Sequence, residues 1–340
     1  MRKNRTIALL AVCGALFLSG CTNEALKQAQ QDLEQENYEY ALEGYQEAIS
    51  QGEDLAEAYR GAGVSALKLG QYENAVEYLG EAFAQEKTSD SFQKDVLSYK
   101  ITAEYKLGQY EEALSDCQSL MNYSADADTY YLAGRVNLAV DAYEEAQANF
   151  EKACEKDGSS QMAIQIYEAY KEKEMEADGS RYLEQALEKE ENSYQKGQLY
   201  YYMEDYENAK EQLQKAVDQK ETEAACLLGQ VYLEKGDTAG AREMFQQYLD
   251  MEGTRAKGYN GLALCDIKEE NYEEALKNIE AGLEDAETED MKLLMFNEVV
   301  VYEKMSDFAT AKEKADKYTE WFPDDEEMQK EQTFLASRIG

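Results

Sequence analysis

Histidine is absent from the 340 residues, proline occurs once, at Pro323, and basic residues are outnumbered 34 to 71 by acidic ones. Each shortage argues against something. Without histidine the chain lacks the commonest general base, proton shuttle and zinc ligand. A net charge of −37 argues against nucleic acid, whose phosphates need clusters of Lys and Arg, and against adsorption to anionic lipid. No G-x-S-x-G elbow, no G-x-x-x-x-G-K-[ST] loop and no G-x-G-x-x-G stretch occurs. Acidic pairs such as Glu111-Glu112 arise by chance in so acidic a chain, and a glycosidase would need two of them facing each other in a pocket. Asp126-Ala-Asp128 is a fragment of a calcium loop without its later Gly and Glu. The expectation is a non-enzyme with no cofactor and no metal.

Long apolar runs are also missing, apart from one at the start. Arg2, Lys3 and Arg5 form a basic head before an apolar run from Ile7 to Leu18, which ends in Leu18-Ser19-Gly20-Cys21. Such a run is too short for a mature membrane span and has the layout of a secretory signal. The Leu-Ser-Gly-Cys ending resembles the bacterial lipobox. That resemblance implies removal of residues 1–20, diacylation of the Cys21 sulfur and anchoring on the extracytoplasmic face of the cell membrane, or at the outer membrane of a Gram-negative host. An ordinary signal peptide with a coincidental cysteine is the alternative. Losing the basic head takes the net charge from −37 to −40. The lipid is then the expected route to the membrane, and the acidity reads either as a well-solvated surface or as selection of a basic partner or divalent cations.

What is present is a repeat. Tyr-x-x-Ala recurs at Tyr38/Ala41, Tyr72/Ala75, Tyr110/Ala113, Tyr143/Ala146, Tyr206/Ala209 and Tyr272/Ala275, with looser copies at Thr238/Ala241 and Phe308/Ala311. Each copy predicts two antiparallel helices. Gly70, Gly108 and Gly236 stand where the first helix must stop, and glycine tolerates the left-handed conformation that ends a helix. Two residues on, the tyrosine is expected between helices, and the alanine lets two backbones approach. An apolar residue (Tyr45, Leu79, Phe150, Leu213, Phe245) and a second small one (Ala48, Ala82, Ala153, Ala216) continue one helix face at i, i+4, i+7. Self-similarity at this period marks a stacked array, because no single unit can bury its own apolar face.

The pattern resembles the tetratricopeptide repeat over nearly the whole mature chain. The resemblance implies an all-α, right-handed superhelical solenoid of about nine units over residues 21–325, closed by a capping helix over 326–340. Successive motif alanines lie 34, 38, 33, 63, 32, 34 and 36 residues apart. The gap of 63 predicts a degenerate fifth repeat near 160–193, with Gly179 at the small position. Cys117, Cys154, Cys226 and Cys265 fall in predicted helices without a C-x-x-C, so four reduced thiols are expected, with a disulfide between neighbouring repeats as the alternative.

By the same resemblance, alternate positions of each first helix line a concave groove. Carried over residue by residue, they give Arg60, Leu67, Lys68, Tyr105, Lys106, Tyr131, Arg135, Tyr201, Tyr202, Lys257, Asn260, Lys268 and Phe296. The expected function is a scaffold that takes a protein or peptide in that groove, in envelope assembly or complex docking. Capture of a glycan or peptide fragment and self-association are the alternatives. The same residues also read as core spacers and as cations paired with neighbouring glutamates.

Overall fold

The computed structural model describes residues 24–339 apart from Asp285, Glu287 and Asp324, so the leader and Cys21 lie outside the described residues. The described chain is all helix and turn. It begins α1 (Glu24–Glu34), α2 (Tyr38–Gln51), α3 (Leu55–Lys68), α4 (Tyr72–Phe83), α5 (Asp90–Lys106) and α6 (Tyr110–Tyr123). The middle comprises α7 (Ala127–Ala139), α8 (Tyr143–Lys156), α9 (Ser160–Lys171), α10 (Glu176–Leu187), α11 (Ser193–Tyr202) and α12 (Tyr206–Asp218). It ends with α13 (Thr222–Glu234), α14 (Thr238–Asp250), α15 (Arg255–Lys268), α16 (Tyr272–Leu283), α17 (Thr288–Lys304), α18 (Phe308–Trp321) and α19 (Glu326–Ile339). Each odd helix packs on the even one after it, making nine antiparallel pairs among the described residues, and α19 covers α18. This is the expected α-solenoid.

The motif alanines carry the close packing. Ala41, Ala75, Ala113, Ala146, Ala209, Ala241, Ala275 and Ala311 are all fully buried, as are Tyr45, Leu79, Phe150 and Leu213 four residues further along the same face. Glycine in the first helix accommodates the large residue sixteen positions later. A Cβ on Gly134 would lie 2.5 Å from two ring atoms of Phe150, and one on Gly63 or Gly197 would lie 2.5 Å from Leu79 or Leu213. The fifth pair, α9 and α10, obeys the rule with a smaller residue. A Cβ on Gly179 would lie 3.0 Å from Tyr170 Cβ and 3.1 Å from Tyr167 Cα, so glycine replaces the motif alanine because α9 presents two tyrosines there.

Among the motif tyrosines one departs from expectation. Tyr38, Tyr72, Tyr110, Tyr206 and Tyr272 are only half-buried, and Tyr143 is exposed, its hydroxyl donating to Asp141 Oδ1 at 3.0 Å. All six open the second helix of their pair; Tyr110, Tyr206 and Tyr272 pack against the buried clusters as expected, and Tyr143 departs from that place.

All nine turns inside the pairs share one geometry. Residues 36, 70, 108, 141, 174, 204, 236, 270 and 306 have φ between 56° and 74°. The following N–H donates back to a carbonyl five residues earlier, as Gln71 N does to Ala66 O at 2.8 Å and Asn271 N to Asp266 O at 2.8 Å. This bond satisfies a carbonyl that the helix end would otherwise orphan. Only three of the nine are glycine; Glu36, Asp141, Glu174, Glu204, Glu270 and Ser306 hold the left-handed conformation without its freedom.

The terminal helix α19 buries Met328 and Leu335 against Tyr318 and Ala315, and leaves Phe334 and Ile339 exposed. No described helix is long and apolar enough to cross a membrane.

Candidate functional site

The helix contacts separate two layers. Each first helix touches the first helix of the next pair, from α1 on α3 through to α15 on α17, whereas second helices do not meet one another comparably. The first helices therefore form one continuous layer of the array, and their unburied side chains share a face.

Three expected groove residues come together there. Arg135 follows Tyr131 by one turn of α7, so ring and guanidinium share a helix face. The Arg135 Cζ lies 4.5 Å from the centroid of the Tyr105 ring on α5 and 5.9 Å from that of Tyr131. Its Nη2 is 3.2 Å from Glu172 Oε2, just past α9, and the Tyr105 hydroxyl donates to the same oxygen at 3.5 Å. Burial opposes the guanidinium charge, but Tyr131, Glu172 and Tyr105 outweigh it and raise the pKa of Arg135. Burial also raises both phenols, so they stay protonated as donors. The Arg135 Nε is buried with no partner. Next to this cluster, Tyr99, Tyr131, Leu132 and Asp128 wall a hollow of about 430 Å³ between α5 and α7. Two aromatic faces, one fixed cation and an adjoining hollow suit an extended or helical segment with an apolar anchor.

Tyr201 and Tyr202 sit further along, at the end of α11, ring centroids 5.8 Å apart and edge-on. Tyr202 turns towards α9, its hydroxyl donating to Glu168 Oε1 at 3.1 Å, and burial raises its pKa to about 12. Tyr201 turns the other way, onto Tyr206 at 6.1 Å.

Tetratricopeptide-repeat family models match residues 26–91, 62–127 and 194–260, and a second model of that family matches 127–159. Together these stretches span more than half of the chain. The chain belongs to the tetratricopeptide-repeat family. No curated protein sequence matches it. Among solved structures it is similar to MamA protein, at a TM-score of 0.42 and 20% identity over 51% of this chain and 93% of that one. A tetratricopeptide repeat protein from Parabacteroides merdae ATCC 43184 matches at a TM-score of 0.42 and 16% identity, over 72% of this chain and 98% of that one. YrrB, described as a TPR protein with an unusual peptide-binding site, matches at 0.39 and 22%, over 48% and 84%.

In this tetratricopeptide-repeat chain most of the other expected cations are engaged between repeats. Arg60 Nε lies 2.5 Å from Asp95 Oδ2, and its Nη1 is 3.2 Å from Glu57 Oε1. Lys257 is 3.6 Å from Glu223. Lys268 donates to Leu233 O at 2.7 Å, closing the last turn of α13 where a cation is favoured. Asn260 accepts from Asn297 at 2.7 Å, and Phe296 packs edge-on to Tyr318 at 6.3 Å. Lys68 and Lys106, at the ends of α3 and α5, are exposed and have no carboxylate partner among the described residues, Lys68 lying 6.0 Å from the Tyr38 ring. The reading of the groove by helix position passed over Tyr99, Glu168 and Glu172. Glu168 and Glu172 were findable: partners in or just past successive first helices stand 34, 35 or 37 residues apart, as in Tyr202–Glu168, Arg60–Asp95 and Arg135–Glu172.

Cys117, Cys154, Cys226 and Cys265 are free thiols. Burial pushes Cys117 and Cys226 up to about 12, and Cys154 and Cys265 up to about 11, far from the thiolate form that reacts. No group of three or more Cys, Asp or Glu among the described residues could hold a metal ion.

Proposed function

We propose that this tetratricopeptide-repeat protein is a lipid-anchored, extracytoplasmic scaffold that takes a protein or peptide on its inner face, in envelope assembly or the docking of a complex. The observation that supports it most is the Tyr105–Arg135–Tyr131 cluster. Tyrosine and arginine are the residue types enriched at binding hot spots, and here rigid helices pre-order both, which lowers the entropy lost on binding. The anchor rests on the basic head, the apolar run and Leu18-Ser19-Gly20-Cys21. Two acyl chains at Cys21 supply an affinity for the membrane that an acidic surface does not.

The test is in-cell photocrosslinking from position 131 of the intact protein, with position 40 on the outer helices as control. Partners captured from 131 and not from 40 support the groove; self-crosslinks alone move the reading to self-association. Fractionation tests the anchor separately. Cys21→Ala releases the protein from membranes, and a variant that stays bound removes the lipid from the account.

A further inference from the structure

The two lysines left without a carboxylate are joined by a third from the far end of the chain. Lys68 and Lys106 line one side of a cleft of about 220 Å³ whose other side is Lys292 of α17 with Trp321 and Phe322 at the end of α18. The superhelix thus brings repeats two and three against repeat nine. In a chain with about two acidic residues per basic one, a cleft edged by three lysines needs a reason.

Among the described residues one carboxylate lines it, and that one is already committed. Asp325 Oδ2 lies 2.8 Å from Lys292 Nζ and accepts from the Tyr318 hydroxyl at 2.8 Å, while Oδ1 accepts from Met328 N at 2.9 Å to start α19. Lys292 is thereby paired, and Lys68 and Lys106 border the cleft with no carboxylate partner among the described residues. Trp321, 56% exposed, and Phe322 supply an apolar wall beside them. We propose that this cleft binds a ligand carrying one oxyanion, carboxylate or phosphoryl, on an apolar or aromatic body. The flexible ammonium groups take the oxyanion as point charges, and the Trp321 edge takes the body. The volume holds one such group with a ring and no long peptide. The binding would also fasten one end of the array to the other.

Trp321 is the sole tryptophan of the chain, so its fluorescence reports on the cleft alone. The intact protein is titrated with phenyl phosphate, with phenylacetate and with benzyl alcohol as the neutral body. The expected result is a saturable change with a phenyl anion, none with benzyl alcohol in the same range, and affinity lowered about tenfold or more in the Lys68→Gln/Lys106→Gln variant, the loss of a charge-assisted hydrogen bond. Whichever anion binds more tightly identifies the oxyanion. Failure of both anions to saturate, benzyl alcohol binding as tightly, or an undiminished affinity in the double variant overturns the proposal. Both lysines are exposed, and unchanged circular dichroism shows that the variant is folded.

Discussion

Replacing Gly134 with alanine puts a methyl group where the ring of Phe150 already lies. The added carbon would be 2.5 Å from Cδ1 and Cε1 and 3.0 Å from Cζ, against roughly 3.5–4.0 Å for a comfortable carbon–carbon contact. The ring therefore has to retreat by about an ångström. It has nowhere to go: Phe150 is fully buried, with Tyr170 at 5.4 Å, Tyr131 at 6.1 Å and Tyr182 at 6.3 Å. Overpacking of a filled core costs about 1–3 kcal/mol, and a site boxed in by three rings belongs at the upper end. Alanine recovers about 1 kcal/mol of helix propensity, leaving a net loss of about 2 kcal/mol. Gly80 is the internal control, since a Cβ there meets only the Lys100 side chain, at 3.9 Å. Gly80→Ala accordingly gains about 1 kcal/mol. Urea unfolding followed by far-UV circular dichroism measures both. The two variants move in opposite directions, and adding Phe150→Leu to Gly134→Ala recovers part of the loss in a double-mutant cycle. Equal stabilisation by both alanines would refute the packing argument.

The six non-glycine turn residues predict the reverse effect. Glu204→Gly and Glu270→Gly each stabilise the fold by about 0.5–1 kcal/mol, read as a higher urea midpoint, because φ of 58° and 61° strains a residue with a Cβ. Glu303 predicts a pH effect at the C-terminal end: burial first, then the hydrogen-bonded carboxyl of Glu331, raises its pKa to about 7, with Lys304 opposing. The folded state then binds more protons than the unfolded one between about pH 4.5 and 7, so this contribution is present at pH 4.5 and is lost as pH rises through 7. The shift corresponds to about 3 kcal/mol at full burial; discounted for partial exposure it is about 1 kcal/mol. Hydrogen exchange in α19 therefore quickens from pH 5 to pH 8, after correction for the intrinsic rate. Glu331→Gln removes that dependence, and an unchanged profile would disprove the pairing. Glu104 moves in the same direction, burial raising it to about 6, which is why the comparison with Glu331→Gln is needed.

The repeats were legible because the rule that makes them is local. A small residue must stand where two backbones cross, and Ala41 through Ala311 announce it at every crossing but one. Even the fifth repeat kept that signal in Gly179, since Tyr167 and Tyr170 demanded something smaller than alanine. Tyr143 departs from the pattern because a recurring spacing says that a residue matters, not which way it points; here the hydroxyl bonds to Asp141 in the preceding turn and the ring is exposed. In the groove, the helix positions found Tyr105, Tyr131 and Arg135 together, but not that Glu172 closes the cluster. Charge partners on successive first helices depend on register between repeats, which no single repeat contains. The meeting of Lys68, Lys106 and Lys292 was further out of reach. It depends on the rotation accumulated over the intervening interfaces, and no pair spacing encodes it.

Among the described residues the extensive helix packing runs between neighbouring repeats, and this has a mechanical consequence. A globular core resists deformation everywhere at once, whereas this chain is elastic in series: each interface yields a little, and the displacements add along its length. A small change of angle at any repeat, from a partner wedged against Tyr131 or a strained turn relaxing, appears at full amplitude only at the ends. The gap between Lys106 and Lys292 is thus the place where bending anywhere in the spring is most magnified, and the lone indole of Trp321 sits on its edge as a strain gauge.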